Sequence, residues 1–454
     1  MEIYELLKGK NIKNEQEVKV VARVRSNRPG KAVGFLVIND GTSLLDLQVV
    51  YKSNLDNFND ISQVRVSSII EVIGKILLTP DKEQKLEIQA EDIVILDEAS
   101  QDYPLQKKEH SLEFLREISH LRSRTKTFQS IFKIRSVAAY AIHRFFQEEN
   151  YVYVTTPIIT ENDAEGAGES FIVTTLKNDE YEKDFFGKKA CLTVSGQLNG
   201  EAYAQAFKKI YTFGPTFRAE NSNTSKHAAE FWMIEPEIAF EDLNFNIALI
   251  EKMIKFIINE VFNKCSDELE FCDKNLEKGL INKLKHISNS NFERITYTDA
   301  IEVLKKAVDN GQNFEEKNIF FGLDLGTEHE RFLCEKHFEK PTFITNYPKE
   351  IKAFYMKQNS DGKTVAATDL LVPGIGELVG GSQREDNYEK LVARCEELKI
   401  DVKGLSWYNE LRNFGYYKSS GFGLGFERLI MYITGASNIR DVIPFPRTPR
   451  NLLF

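Results

Sequence analysis

The chain has 454 residues, of which 42% are hydrophobic, 28% charged and 11% aromatic. That balance excludes a disordered, collagen-like or coiled-coil chain and supplies material for about three domain-sized units. Lys and Arg number 59 against 68 Asp and Glu, a formal net charge of −9, which argues against indiscriminate nucleic-acid binding and leaves room for a local basic face. No apolar run approaches the ~18 residues that span a bilayer, and the start, MEIYELLKGK, has neither the basic patch nor the apolar stretch of a signal peptide. Five cysteines without CxxC spacing fit neither a disulfide framework nor a zinc knuckle. A reducing, cytoplasmic setting with no membrane partner is the expectation.

Residues 1–100 carry five β-rich runs: VKVVARVR from Val18, then GFLVIND, LLDLQVV, IIEVIGKIL and LEIQAEDIVIL. Turn residues such as Arg28-Pro29-Gly30 and Asp40-Gly41 separate them, a spacing that predicts a small barrel of the OB type. A basic run of Lys19, Arg23, Arg25, Arg28 and Lys31 lies in it, with no acidic residue between Val18 and Asn39. Alone, that run reads most simply as a solvated strand face. Residues 101–126 read as a connector. From Leu105 to Arg135 there are eight Lys or Arg against three Glu.

Residues 127–454 mix strands and helices. Phe128, Ile131, Phe132, Ile134, Val137, Ala141, Phe145 and Phe146 form a helical stripe ending near Asn150, and YVYVTTP follows as a strand stopped by Pro157. NIALIEKMIKFIINEVFNKC predicts an amphipathic helix, and the Lys/Asn/Glu-rich stretch at about 264–320 reads as a helical insertion.

Common phosphate and metal motifs fail. Gly362-Lys363-Thr364 lacks the glycine five residues earlier that a phosphate loop needs, GFGLGFER has Phe426 where a GxGxxG pattern needs its third glycine, and EHER around His329 has no second histidine four residues away. Three other clusters carry chemistry. In KIYTFGPTFRAENSNTSKHAAEFWMIEPEIAF, strand alternation puts Arg218 with Glu220, and Phe231, Met233, Glu235 and Glu237 together, each set on one face. Carboxylates there need partners if buried, and an internal ion pair is the plainer reading. The polar loop bearing Lys226 and His227 suits a mobile, phosphate-facing flap. In SSGFGLGFERLIMYITG, glycines 421, 423 and 425 strip one strand face, so that either a flat ligand or a close helix can lie against it. Arg428 then enters in the first turn of a helix. In ATDLLVPGIGELVGGSQRED, Asp369 and Glu377 could hold a hard cation through oxygen.

These segments resemble the three signature motifs of class II aminoacyl-tRNA synthetases, with the YVYVTTP strand and its helix as the first. The runs VSGQLNGEAY, YTFGPTFRAENSNTSKHAAEFWMIEPE, LGTEHERFL, VGGSQRE and NIRDVIPFPRTP are similar to asparaginyl-tRNA synthetases over essentially the whole chain. The resemblance implies an α+β chain: an N-terminal OB-type barrel that binds the anticodon, joined to a class II catalytic domain built on an antiparallel sheet flanked by helices. It implies a homodimer, tRNA(Asn), ATP and asparagine as partners, and Mg²⁺ with the ATP. It further implies that Arg218 and Arg428 are catalytic. ATP would be held by Arg218, Glu220, Lys226, His227, Phe231, Glu377, Gly425, Phe426, Glu427 and Arg428, asparagine by Glu165, Ser195, Gln197, Glu235 and Arg384, and the metal by Asp369 and Glu377. Arg28, Phe35 and Gln48 would contact anticodon bases.

An amide side chain needs one donor and one acceptor; Arg384 and Glu235 supply them. Related aspartyl enzymes carry a lysine where this chain has Gly200. The approach Tyr416-Tyr417-Lys418-Ser419-Ser420 departs from the family pattern, in which a histidine stands shortly before the motif 3 glycines. A stand-alone asparagine synthetase, a non-catalytic RNA-binding paralogue and an aspartyl-tRNA synthetase are the competing readings. They are opposed respectively by the barrel, by the intact charged motifs and by Gly200.

Overall fold

The computed structural model describes residues 1–9, 11–82, 84–161 and 170–454. They form two compact units, Met1–Ser130 and Ile131–Phe454, rather than three.

In the first unit β1 (Glu17–Arg28), β2 (Val33–Asn39), β3 (Leu47–Lys52), β4 (Ile69–Leu78) and β5 (Leu86–Asp97) close into a barrel in the order β1-β2-β3-β5-β4. Period-two patterning drives the closure: Val18, Val20, Ala22 and Val24 turn inward while Lys19, Val21 and Arg23 turn out. The inward row meets Leu36, Ile38, Val49, Tyr51, Val72 and Ile88, and a short N-terminal helix (Ile3–Lys8) adds Ile3 and Leu6 to the same core. The connector sequence packs as part of this unit and holds two short helices, Leu112–Glu117 and Ser119–Arg122.

The second unit is built on an eight-stranded sheet. In chain order its elements are β6 (Val152–Tyr153), then a small separate sheet of β7 (Ile159–Thr160), β8 (Ile172–Val173) and β9 (Ala190–Leu192), then β10 (Lys209–Phe217), β11 (Glu230–Ala239), β12 (Glu293–Thr296), β13 (Thr342–Pro348), β14 (Thr364–Val372), β15 (Gly376–Gln383) and β16 (Ser419–Gly425). The large sheet runs β12-β13-β14-β15-β16-β11-β10-β6. Its six central strands are antiparallel, and only the edge pairs β12–β13 and β6–β10 are parallel.

The helix Leu243–Lys264 starts at an Asp242 cap whose carboxylate accepts from the Asn244 and Phe245 amides. It buries Ile247, Ile250, Ile254, Ile257 and Val261, and its buried Asn246 donates to the Gly421 carbonyl at 2.8 Å. The stretch expected to be a helical insertion carries three helices (Ser266–Asn275, Leu280–Asn289 and Tyr297–Asp309) and also β12, an edge strand of the main sheet. It is therefore not purely helical. Four residues of strand are too short for a period to show. No helix among the described residues is long and apolar enough to cross a membrane.

Gly34 is required for packing. A Cβ there would fall inside the ring of Tyr51, which is fully buried. Gly34→Ala should cost about 1–3 kcal/mol, the usual penalty for overpacking, measured by denaturant unfolding of the full chain. An unchanged midpoint would show that the ring can move aside.

Candidate functional site

A cavity of about 170 Å³ opens at one end of the sheet, lined by Arg218, Glu220, Lys226, His227, Phe231, Met233, Glu377, Gly423, Gly425 and Arg428, among others. Arg218 and Glu220 lie just past the end of β10 rather than on it. Alternation therefore does not set their shared direction, although the Arg218 amide continues the ladder to the Ala229 carbonyl at 3.0 Å. The Arg218 guanidinium lies 5.4 Å from the centre of the Phe231 ring. Arg428, in the first turn of the helix Phe426–Thr434, donates to the Glu377 carbonyl at 3.1 Å.

The loop from Arg218 to Ala229 is tied down, contrary to the expectation of a free flap. His227 Nδ1 lies 2.8 Å from both Ser222 Oγ and Thr224 Oγ1, and Lys226 donates to the Ile375 carbonyl. Arg440 reaches the Thr224 carbonyl at 3.1 Å and the Asn223 side chain at 2.7 Å. The Ile439 amide holds the Ser225 carbonyl at 2.8 Å. Burial, reinforced by Arg428, lowers the pKa of both Lys226 and His227. A cavity in which partly buried cations repel one another favours an anionic guest.

Of the residues expected at this cavity, Phe426 is committed elsewhere, and Glu427 lines the cavity while other elements engage its carboxylate. The Phe426 ring is buried, 4.5 Å from the Arg135 guanidinium and 5.1 Å from the Phe213 ring. Glu427 accepts from Arg135 at 2.8 Å and from the Trp232 amide at 2.9 Å. Helical periodicity turns both toward the core while Arg428 turns out. The glycine stripe likewise divides its duties. A Cβ on Gly421 would collide with the Glu237 carboxylate, and one on Gly423 would meet Met233 Cε at 2.7 Å, whereas Gly425 meets nothing closer than 3.9 Å. Gly421 is filled by packing, whereas Gly423 and Gly425 both line the cavity, with the most open space at Gly425.

Beside the cavity sit three carboxylates. Asp369 pairs with Lys352 at 2.6 Å, the Glu377 amide bonds to Glu330 at 3.2 Å, and Asp369 and Glu377 oxygens flank the same side of Gly380. Burial, and then the charge of Glu377, pushes Glu330 up to about 7. Burial and then Asp369 raise Glu377. Among the described residues no three His, Cys, Asp or Glu side chains close around a common point. A cation here would take one or two carboxylates and complete its shell from substrate and water, the habit of Mg²⁺.

The row Phe231, Met233, Glu235, Glu237 runs along β11 from this cavity into a buried polar cluster. Glu235 accepts from Ser195 Oγ, from the Gly196 amide at 2.9 Å and from Thr212 Oγ1 at 3.1 Å. Arg384 does not pair with Glu235. Its Nε and Nη2 donate to Glu237, the former at 3.0 Å, and its Nη1 to Ser382 Oγ at 2.8 Å. Register decides this, because Glu237, Gly421 and Ser382 stand opposite one another across β11, β16 and β15. Three of the five guanidinium N–H groups are thereby used and two remain. Gln197 donates its amide to Glu201 at 3.1 Å, so its carbonyl oxygen is the end left for another partner. Glu165 lies outside the described residues.

Motif reading did not assign Glu201, Tyr408 and Arg412 to a site, and it marked Tyr416 only as a departure from the family pattern. Glu201 accepts from Arg412 at 2.9 Å and from Tyr408 at 2.8 Å, and Tyr416 bonds to Glu201 at 3.2 Å. The Arg412 guanidinium lies 4.3 and 4.2 Å from the rings of Tyr408 and Tyr416. A lone Glu in QLNGEAYAQAF and the i,i+4 spacing of Tyr408 and Arg412 were the available signals. Tyr416, where the chain departs from its family pattern, is thus a member of this network.

In the barrel, Arg28, Phe35 and Gln48 adjoin one another. Arg28 lies 5.8 Å from the Phe35 ring and 3.5 Å from Gln48, whose amide donates to Glu87 at 2.9 Å.

Residues 111–449 match the family described as tRNA synthetases class II (D, K and N), and residues 18–96 match the OB-fold nucleic acid binding domain. A protein of Mycoplasma mycoides named asparagine–tRNA ligase is 67% identical over all 454 residues, covering the whole of both chains. One from Clostridium botulinum with the same name is 56% identical over 444 residues, 96% of this chain and 95% of its own. The chain belongs to the asparagine–tRNA ligase family. Its fold superposes on the crystal structure of Pyrococcus horikoshii asparaginyl-tRNA synthetase complexed with asparaginyl-adenylate with a TM-score of 0.87, at 31% identity and 97% coverage of each chain.

In this member of the family the pair Arg412–Glu201 has side chains 0% and 1% exposed. Removing one partner of such a pair leaves a buried charge uncompensated. Arg412→Met should therefore lose about 3–5 kcal/mol in denaturant unfolding. A loss under about 1 kcal/mol would mean that Arg384, whose Nε lies 3.6 Å from a Glu201 oxygen, alone satisfies Glu201.

Proposed function

We propose that the chain attaches asparagine to tRNA in two steps, forming asparaginyl-adenylate and pyrophosphate from asparagine and ATP, then passing the asparaginyl group to the tRNA 3′ end. The observation that carries this reading is the single β11 row that joins the cavity holding Arg218, Lys226 and Arg428 to a buried cluster of polar groups around Glu235, Glu237 and Arg384. The adenine ring lies between Phe231 and Arg428, with Glu220 accepting from its amino group. Gly425, and the backbone of Phe426 and Glu427, close that side. Arg218 faces the α-phosphate and neutralises charge that grows as the asparagine carboxylate attacks it, and Lys226 and His227 receive the outgoing pyrophosphate. Asp369 and Glu377 are the carboxylates that would hold Mg²⁺, which when bound would supply neutralising charge for the nucleotide. No side chain need act as nucleophile or strong base, because positioning and electrostatics carry the step.

For the amino acid, Ser195 and the free carbonyl of Gln197 face the ammonium end, with Glu165 assigned to the same group by the resemblance. Arg384 offers its remaining N–H groups to the amide oxygen, and Glu235 accepts from the amide nitrogen. Aspartate would set a second carboxylate against Glu235 and Glu237. In the barrel Phe35 stacks an anticodon base, with Gln48 and Arg28 reading its edge or backbone. A homodimer is supported by the exposed apolar side chains of Val152, Tyr153, Ile158, Ile159 and Trp232 at and around the β6 edge of the sheet. A cytoplasmic location fits five buried, reduced cysteines.

Amino-acid-dependent ATP–pyrophosphate exchange tests the reading directly: asparagine should drive exchange and aspartate should not. Exchange driven by aspartate, or none with either amino acid, would overturn it. Glu235→Gln should narrow the asparagine-to-aspartate ratio of kcat/KM by at least ~10-fold, since a site built for an amide discriminates through its buried polar partners. An unchanged ratio would remove Glu235 from that role and leave Glu237 as the selecting carboxylate. Phe35→Ala should raise the tRNA KM by about tenfold or more, the loss of one base stack being worth roughly 1–3 kcal/mol. A variant that only unfolds more easily, with its tRNA KM unaltered, would make Phe35 a packing residue.

A further inference from the structure

The basic run on β1 is not absorbed by the reading above. Arg28 adjoins Phe35, and Lys19 pairs with Glu71 at 2.8 Å, but Arg23 and Arg25 turn into a separate cleft of about 290 Å³ within the first unit. Arg124 of the connector lines the same cleft, with Ser123, Gln129, Asn39 and Asp40. Arg23 donates to the Ser67 carbonyl at 2.7 Å and hydroxyl at 2.8 Å, and Arg124 to that same hydroxyl at 3.1 Å. Arg25 donates to the Arg124 carbonyl at 2.6 Å. All these acceptors are neutral, and among the described residues none of the three guanidiniums has a carboxylate within ion-pair distance. Asp40 lines the cleft, but its oxygens are held by the Ile3 amide at 2.8 Å and by the Thr42 amide and hydroxyl at 3.0 and 2.6 Å.

Three converging guanidiniums against the committed Asp40 and the more distant Asp97, which acts on Arg23, leave a local excess of about one positive charge in a chain whose net charge is −9. Burial, then Arg124, lowers the pKa of Arg23, the sign of a cation held among cations. Such a cluster is costly empty and is relieved by an anion able to take several N–H donors at once, which describes a phosphate. Arg25 and Arg23 lie three and five residues before Arg28 on the same strand, roughly 10 and 17 Å along it. A strand of RNA whose base stacks on Phe35 carries its backbone over that span.

We propose that the cleft formed by Arg23, Arg25 and Arg124 binds a backbone phosphate of the tRNA, a contact that fixes the register of the RNA on the barrel without reading its sequence. The proposal rests on the reading that this chain charges tRNA. Asparagine-dependent pyrophosphate exchange, which needs no tRNA, tests that reading separately, so the two can fail independently.

The test is tRNA binding by the full-length protein as a function of salt, comparing the native chain with Arg124→Gln and Arg124→Lys. Arg124→Gln should bind tRNA about three- to tenfold more weakly at moderate salt and lower the slope of log K against log salt by about 1, the signature of one lost phosphate contact. Arg124→Lys should keep most of the slope, because it keeps the charge. If both variants show the native affinity and slope, the cleft is not an RNA site. If the native protein binds inorganic phosphate in the cleft but tRNA binding and its slope survive Arg124→Gln, the cleft takes small anions only and the proposal falls. Should Arg124→Gln fail to fold, Arg25→Gln answers the same question. An unaltered slope in that variant, with a native melting temperature, counts against the proposal.

Discussion

Everything at the centre of the second unit follows from placing ionised groups where water does not reach. Glu201, Glu237, Arg384 and Arg412 are all buried, and a charge in that setting persists only when neighbours satisfy it. Each pairing then dictates smaller features. Glu237 lies flat against β16, so Gly421 has no room for a side chain. Arg412 is enclosed by two tyrosine rings whose hydroxyls also serve Glu201. Gln197 has only one way to point its amide, because a carboxylate accepts and never donates. A pocket assembled this way is rigid before substrate arrives, which is the condition for telling one small polar side chain from another.

At the proposed nucleotide end the cations are less completely paired. Lys226, Arg218 and Arg428 border a space that also meets Glu220, Glu377 and Glu427, with Glu330 and the Lys352-paired Asp369 beside it. The two halves suit different tasks. The amino-acid half matches a neutral amide through paired donors and acceptors, whereas the nucleotide half holds a field that a polyphosphate completes. One strand, β11, carries residues of both, so in the proposed reaction a mixed anhydride between the substrates would lie along a single row of side chains.

Much of this was legible from residue order. Alternation gave all five barrel strands and correctly put Phe231, Met233, Glu235 and Glu237 on one face, and the glycine-rich strand leading into Arg428 lies where the pattern put it. What alternation does not contain is register. It could not tell which of two carboxylates on the same face meets Arg384. The answer depends on Glu237, Gly421 and Ser382 lining up across three strands that are far apart in sequence. The same limit explains Phe426 and Glu427: their motif was visible, but the direction of their side chains was set by Arg135, Phe213 and Trp232 from other elements. The polar loop was read as loose from its composition, and the clamp that ties it, Ile439 and Arg440, comes from more than 200 residues further on. β12 was missed because four residues carry no period.

The central claim is that one strand seats the nucleotide and the amino acid together, with the carboxamide held beside Arg384. A crystal structure with a non-hydrolysable analogue of asparaginyl-adenylate tests it most directly. The account predicts the adenine between Phe231 and Arg428, the phosphate mimic against Arg218, and the amide oxygen within hydrogen-bond distance of the Arg384 guanidinium. An amide turned away from Arg384, with the Arg384–Glu237 pair untouched by the ligand, would contradict it.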